Sequence, residues 1–116
     1  MILLTEENIN KDIIDWKFPS IMLITADWCP ACPPIVDIMK RIEQDIELKY
    51  WAKLNFIHII SDEENKSLAS EYLIGGFPTI LIRYKDVEFT LIDELKEYKI
   101  ILKYIVEFLK LIEISK

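Results

Sequence analysis

Cysteine, glycine, histidine and basic residues are scarce in this chain, and the shortage of basic residues argues against one class of partner. Among 116 residues there are only two cysteines, two glycines and one histidine. The chain has 14 basic and 20 acidic side chains, which gives a formal net charge of −6 at pH 7. Because an acidic surface repels a phosphate backbone, we expect no nucleic-acid partner.

Long uninterrupted apolar runs are also lacking. The first apolar stretch, residues 1–4, follows no basic segment and is too short for a signal peptide. The most hydrophobic stretch, residues 100–114, is interrupted by four charged side chains, so we expect no membrane-spanning helix. These features predict a cytoplasmic protein without a membrane partner.

What the chain does contain is enough apolar material for a core. Hydrophobic residues make up 52% of the sequence. Residues 1–116 are therefore predicted to form a single domain that needs no stapling by disulfides or metals.

Both cysteines lie in the segment Trp28-Cys29-Pro30-Ala31-Cys32, after an apolar run and before a segment with helical spacing. Such a pair either closes a reversible disulfide or gives two thiolates to a metal. Zinc needs four ligands, so a zinc site would need a second chain, and an iron–sulfur cluster shared between two subunits is a weaker alternative. A redox pair without a cofactor or metal is favoured. The sole histidine, His58, falls in a predicted buried strand and is interpreted as a sheet residue, not as a catalytic base.

Apolar periodicity predicts the order β-α-β-α-β-α-β-β-α. The first three strands are expected to be parallel, and the last two form a hairpin through Lys85-Asp86. The first helix is predicted to be capped by Thr5 and to bury Ile9, Ile13, Ile14 and Trp16. Strands are predicted at residues 2–4, 21–26, 56–60, 79–84 and 87–91, and helices at 6–16, 34–50, 64–72 and 95–114.

Two distant motifs carry a family resemblance. They are Ala26-Asp27-Trp28-Cys29-x-x-Cys32 and Glu64-Asn65-x-x-Leu68-Ala69-x-x-Tyr72-x-Ile74-x-Gly76-Phe77-Pro78-Thr79. Together, in this order of elements, they resemble the thioredoxin family. The resemblance implies an α/β thioredoxin-like fold, with a mixed central sheet covered by helices on both faces.

The resemblance also implies a mechanism. Cys29 would be the nucleophile, its pKa lowered at the amino end of a helix, and Cys32 the resolving thiol. The Phe77–Pro78 bond would be cis and would lie opposite the cysteines. The substrate-docking surface would be formed by Trp28, Gly76, Phe77 and Pro78.

The implied activity is thiol–disulfide oxidoreduction. A monomer would reduce disulfide-containing protein substrates and receive electrons from a thioredoxin reductase or an equivalent donor. Two alternatives stay open: a glutaredoxin-like enzyme that uses glutathione, and a non-enzymatic binding module on the same fold.

The sequence departs from the family pattern at several positions. Pro30-Ala31 replaces Gly-Pro between the cysteines. Leu23 stands where a typical member buries an aspartate that accepts the resolving thiol's proton, and aligning the two motifs puts Ile59 in place of the adjacent lysine. We therefore expect proton transfer at Cys32 to use water or another group, and exchange to be slower than in a typical thioredoxin.

Two further departures concern glycine and proline. Pro33 and Pro34 predict either an irregular first helical turn or a helix that restarts at Pro33. The glycine that the family usually has near the last strand is missing at residues 91–93. The only glycines, Gly75 and Gly76, are expected to meet a backbone requirement.

Overall fold

The computed structural model describes residues 1–50, 54–72, 75–91 and 97–114. This part of the chain forms five strands and three helices. In chain order they are β1 (Ile2–Leu3), β2 (Ser20–Ala26), α1 (Cys32–Tyr50), β3 (Asn55–Ser61), α2 (Lys66–Tyr72), β4 (Thr79–Tyr84), β5 (Val87–Leu91) and α3 (Tyr98–Ile114).

The strands form one mixed sheet in the order β1-β3-β2-β4-β5. β3 pairs in parallel with both β1 and β2, whereas β4 is antiparallel to β2 and β5. Every residue of the central strand β2 is buried, as its continuous apolar run predicts. The β4–β5 turn has Lys85 at a φ of 53°, and both predicted strands of this hairpin have the expected bounds.

Helices cover both faces of the sheet, which confirms the predicted fold class. α1 and α3 bury their apolar stripes against one face, called here the α1 face, and α2 packs on the opposite face, the α2 face. The α1 face carries Ile21, Leu23, Phe56, Ile80 and Ile82. The α2 face carries Met22, Ile24, Ile57, Ile59 and Leu81. None of the helices in the described ranges is long and apolar enough to cross a membrane.

The helix predicted at residues 6–16 is wrong, because this segment consists of turns. The capping interaction does form: the Asn8 N–H donates to Thr5 Oγ1 at 3.2 Å, and the Thr5 N–H donates to Asn8 Oδ1 at 2.8 Å. Only one turn follows, and Asp12 adopts a φ of 55°, which no right-handed helix allows. Of the predicted stripe, Ile14 is buried and Ile9 partly buried, but Ile13 and Trp16 are exposed.

Contacts with α2 explain why the segment folds this way. The Glu6 N–H donates to Asn65 Oδ1 at 2.8 Å, and the Glu6 carboxylate accepts the Leu68 N–H at 3.0 Å. Asp62 Oδ1 accepts the N–H groups of Glu64 and Asn65, so these residues form the turn that precedes α2. α2 consequently begins at Lys66 and not at residue 64.

α1 begins at Cys32, one residue before the restart predicted at Pro33 and two before the predicted bound at residue 34. Pro33 and Pro34 are its second and third residues, and both are exposed. The first N–H groups of a helix have no intrahelical partner, so proline is tolerated there without breaking the helix. Two predictions lie outside the described residues. They are the start of the last helix at residue 95 and the missing glycine at residues 92 and 93.

Candidate active site

The two cysteines lie in the short connection between β2 and α1. The Cys29 N–H donates to the Ala26 carbonyl at 3.2 Å, and the Cys32 N–H donates to the Cys29 carbonyl at 3.3 Å. These two turns bring the Cα atoms of Cys29 and Cys32 to 5.5 Å, and their sulfurs are joined in a disulfide. The site is therefore described in its oxidised form, at the end of the sheet where β2 finishes.

The disulfide is nearly covered by protein. Cys29 is 8% exposed and Cys32 only 3% exposed. Both pack with Ala26, and the half-buried Phe77 closes the cluster. The residue implied as nucleophile is thus the more accessible of the two.

The segment before β4 lies against this disulfide. The Phe77–Pro78 peptide bond is cis, as expected. Gly75 has a φ of 81°, which L-residues rarely adopt, so its glycine meets a backbone requirement. Gly76 is exposed, with open space where a Cβ would lie, and its carbonyl accepts the Thr79 hydroxyl at 2.6 Å.

Trp28 is exposed over 71% of its surface, although it is a large apolar side chain. Its ring meets Phe77 edge to face, with centroids 5.6 Å apart and planes at 90°. Cys29, Cys32, Phe77 and Trp28, all singled out from the sequence, therefore meet at one place. Asp27 is exposed beside them, as the sequence suggests.

Behind the disulfide, the α1 face differs from the expectation. Leu23 is fully buried, but Ile59 points to the α2 face and is not its neighbour. The residue directly opposite Leu23 on β3 is His58. The motif-based alignment is wrong by one residue at this point, because the side-chain direction in a strand reverses at every residue.

His58 is hydrogen-bonded to a residue that the sequence analysis did not single out. Its Nε2 lies 2.8 Å from Oγ1 of Thr25, and Thr25 is 3% exposed. Burial of the imidazole lowers the pKa of His58 below its usual value of 6.5, and the positive charges of Lys40 and the N-terminal ammonium lower it further. The signal that could have found this pair is the only threonine in the otherwise apolar run 21–26.

The start of α1 offers few donors to a thiolate. Pro33 and Pro34 have no N–H, and the Cys32 N–H is already bonded to the Cys29 carbonyl. The first turn of α1 also has no acidic side chain, whose negative charge would offset the positive end of the helix dipole. Over the ranges that the structure describes, no group of three or more His, Cys, Asp or Glu residues could hold a metal ion.

Cys29 and Cys32 form a disulfide at a strand-to-helix junction, on a mixed sheet that helices cover on both faces. This combination defines a class of dithiol–disulfide proteins. Comparison with known proteins identifies the class. The thioredoxin family profile matches residues 1–107, so the chain belongs to the thioredoxin family.

The chain is similar to named thioredoxins and to a solved one. It is 30% identical over 78 residues to a thioredoxin of Rickettsia felis, which is 67% of this chain and 70% of that protein. It is 27% identical over 78 residues to a thioredoxin of Synechocystis sp., covering 67% of this chain and 68% of that protein. The structure of chloroplastic thioredoxin z superposes with a TM-score of 0.70 at 18% identity, covering 92% of both chains, and this likeness supports the fold. The family and the close cysteine pair support thiol–disulfide oxidoreductase activity.

Proposed function

We propose that this protein reduces disulfides in other proteins, with Cys29 as nucleophile and Cys32 as resolving thiol. The observation that carries the proposal is the Cys29–Cys32 disulfide at the end of β2, with Cys29 the more exposed sulfur and the Phe77–Pro78 segment beside it.

The reaction transfers two electrons from the dithiol to the substrate. The Cys29 thiolate attacks one sulfur of the substrate disulfide, which forms a mixed disulfide and releases the other substrate sulfur as a thiolate. Cys32 loses its proton and attacks Cys29, so the Cys29–Cys32 bond forms and the second substrate thiolate leaves. A thioredoxin reductase or an equivalent donor then restores the dithiol, in a cytoplasmic setting where the net direction is reduction.

The docking surface is assigned to Trp28, Gly76, Phe77 and Pro78. Trp28 and Phe77 offer apolar ring surface next to Cys29, and Gly76 leaves space for an approaching backbone. An extended substrate segment would lie along residues 76–78 with its sulfur at Cys29. The net charge of −6 points to no particular substrate. On this surface, apolar contact and backbone pairing would supply the affinity.

The test is reduction of insulin disulfides with dithiothreitol as electron donor. We expect turnover by the wild type, none by Cys29→Ser, and none by Cys32→Ser. After reduction and removal of dithiothreitol, only Cys32→Ser is expected to accumulate a covalent complex with the insulin chain, because it keeps the nucleophile and loses the resolving thiol. Failure of the wild type to turn over with any dithiol donor would contradict the proposal and favour a binding module.

Two further arms separate the electron donors. NADPH with a thioredoxin reductase should support turnover, whereas glutathione alone should not. The reverse result would assign the protein to glutathione-dependent chemistry. For the docking surface, Trp28→Ala is matched by Trp16→Ala, since Trp16 is also exposed, at 48%, but precedes β2 where Trp28 follows it.

A further inference from the structure

The resolving thiol has a proton to lose in a site that is nearly closed to water. Cys32 is 3% exposed, so little water can reach its sulfur to take the proton. A thiol is not a nucleophile until it is deprotonated, so the second step of exchange needs a base near Cys32. The aspartate position behind the site holds Leu23, which cannot accept a proton.

His58 lies on the sheet face that α1 covers, where it can act as a base. His58 lies on the α1 face of β3, opposite Leu23 and bonded to Thr25. Thr25 is the next-to-last residue of β2, so it lies nearer than His58 to the end of the sheet where α1 begins. Measured along the strand direction, the Thr25 hydroxyl therefore lies between the His58 imidazole and Cys32, the first residue of α1.

The helical period brings Cys32 onto the same side of α1 as the groups that act on His58. Cys32, Val36, Lys40 and Glu43 are spaced four, four and three residues apart, which is one stripe of a helix. Lys40 lowers the pKa of His58, and Glu43 binds the N-terminal ammonium, which also acts on His58, at 2.7 Å. This stripe therefore runs over β3, with Cys32 at its amino end.

We propose that His58, acting through the Thr25 hydroxyl, takes the proton of the Cys32 thiol when the mixed disulfide is resolved. This inference rests on the proposed function and names the group that replaces the missing acid. Thr25 donates its hydroxyl proton to His58 Nε2 and accepts the thiol proton of Cys32. The Cys32 sulfur then bonds to Cys29, the bond from Cys29 to the substrate sulfur breaks, and the substrate leaves as a thiolate. The imidazolium afterwards returns its proton to that thiolate or to water.

The charges around His58 suit this role. Burial of the imidazole, and after it the charges of Lys40 from α1 and of the N-terminal ammonium next to β1, lower the pKa of His58 and so favour the neutral form, which accepts a proton. The carboxylate of Glu43 is paired with that ammonium. β2, which packs along the other side of β3, has no ionisable side chain. Resolution is therefore expected to slow as the pH falls through the pKa of His58.

The first experiment follows the resolving step alone. Reduced protein is mixed with a limiting amount of 5,5′-dithiobis(2-nitrobenzoate): attack by Cys29 releases one thionitrobenzoate, and attack by Cys32 releases the second. Near neutral pH we expect Thr25→Val and His58→Gln to slow the second release on the order of 100-fold, the low end of what a positioned base contributes. Thr25→Ser keeps the hydroxyl and should restore the wild-type rate. Thr90→Val, on β5 at the other edge of the sheet, is the matched control.

The second experiment needs no activity. His58 is the only histidine, so its imidazole resonances give its pKa directly by NMR in the oxidised and the reduced protein. The relay places the reduced Cys32 thiol in a hydrogen bond with the Thr25 hydroxyl, which itself bonds His58. Making or breaking that bond changes the environment of the imidazole, so reduction should shift the pKa of His58 and Thr25→Val should remove the shift. Equal pKa values in both redox states, or an unchanged second release in Thr25→Val and His58→Gln, would overturn the relay. Insulin turnover by the wild type would then still support the proposed function, and its absence would contradict that function whatever the NMR shows.

Discussion

Replacement of Leu23 by aspartate tests how the buried space behind the disulfide treats a carboxyl group. Leu23 is 0% exposed, within the core formed by α1, α3 and the sheet. Removing such a side chain costs about 2–5 kcal/mol of the free energy of unfolding, because it loses apolar burial and leaves a cavity. A domain of this size has about 5–15 kcal/mol in total, so the variant should still fold at acidic pH if the wild type lies above the low end of that range.

Ionisation of the introduced carboxyl adds a second, pH-dependent cost. Burial raises the pKa of a carboxyl above its usual value of about 3.9, so the folded state binds more protons than the unfolded state as the pH rises. Stability is then fully present below that value and falls as the pH rises through the folded-state pKa. A rise of one to three pKa units corresponds to a loss of about 1.4–4 kcal/mol.

The matched control is Leu23→Asn, which has nearly the same shape and cannot ionise. Urea unfolding of both variants should give equal free energies at acidic pH, with Leu23→Asp the less stable by about 1.4–4 kcal/mol at alkaline pH. In the thionitrobenzoate assay, the ionised carboxylate should speed the second release and change its pH profile. Equal stability of the two variants at alkaline pH would refute the reasoning about burial, and an unchanged release rate would refute the importance of the missing acid.

Three further predictions concern other residues. Phe108→Ala should lower the free energy of unfolding, measured in urea, by about 3–5 kcal/mol. Phe108 is fully buried and packs edge to face on Phe89, with ring centroids 5.3 Å apart. A loss under about 1 kcal/mol would contradict this packing. Because the pKa of His58 is lowered in the folded state, its contribution to stability is complete above about pH 6.5 and is lost as the pH falls from there through the folded-state pKa. Urea titrations should show that pH-dependent loss in the wild type and not in His58→Gln. Trp28→Ala should raise KM for insulin and change the free energy of unfolding by less than about 0.5 kcal/mol, since Trp28 is largely exposed. An equal rise of KM in Trp16→Ala would contradict a specific docking role for Trp28.

Strands were the most predictable elements of this fold. β2 is a continuous apolar run in the middle of the sheet, and β4 and β5 are bounded by the Lys85-Asp86 turn, so local sequence determines their limits. The close approach of Cys29, Cys32 and Phe77 also followed from two motifs, because both lie at the same end of the central strands.

The segment that forms turns in place of the first helix shows what local sequence cannot convey. Thr5 and Asn8 do make the capping bonds that start a helix. The decisive contacts, however, join Glu6 to Asn65 and Leu68, about 60 positions along the chain, and no local pattern reports them. Tertiary hydrogen bonds thus override a weak helical preference.

The polar pair behind the disulfide was missed for a different reason. Which residue of β3 faces Leu23 depends on strand register, and a shift of one residue exchanges Ile59 for His58. Motif alignment does not determine register to one residue. A single threonine in an apolar strand was the available signal, and its partner became visible only with the sheet in place.

Identification of the attacking sulfur tests the proposed chemistry most directly. The Cys32→Ser variant, reduced and mixed with insulin, should be trapped as a covalent complex. Mass spectrometry of its peptides should find the intermolecular disulfide at Cys29, and the complex should dissociate with dithiothreitol. Absence of any covalent complex from Cys32→Ser, together with a complex at Cys32 in Cys29→Ser, would contradict Cys29 as the nucleophile.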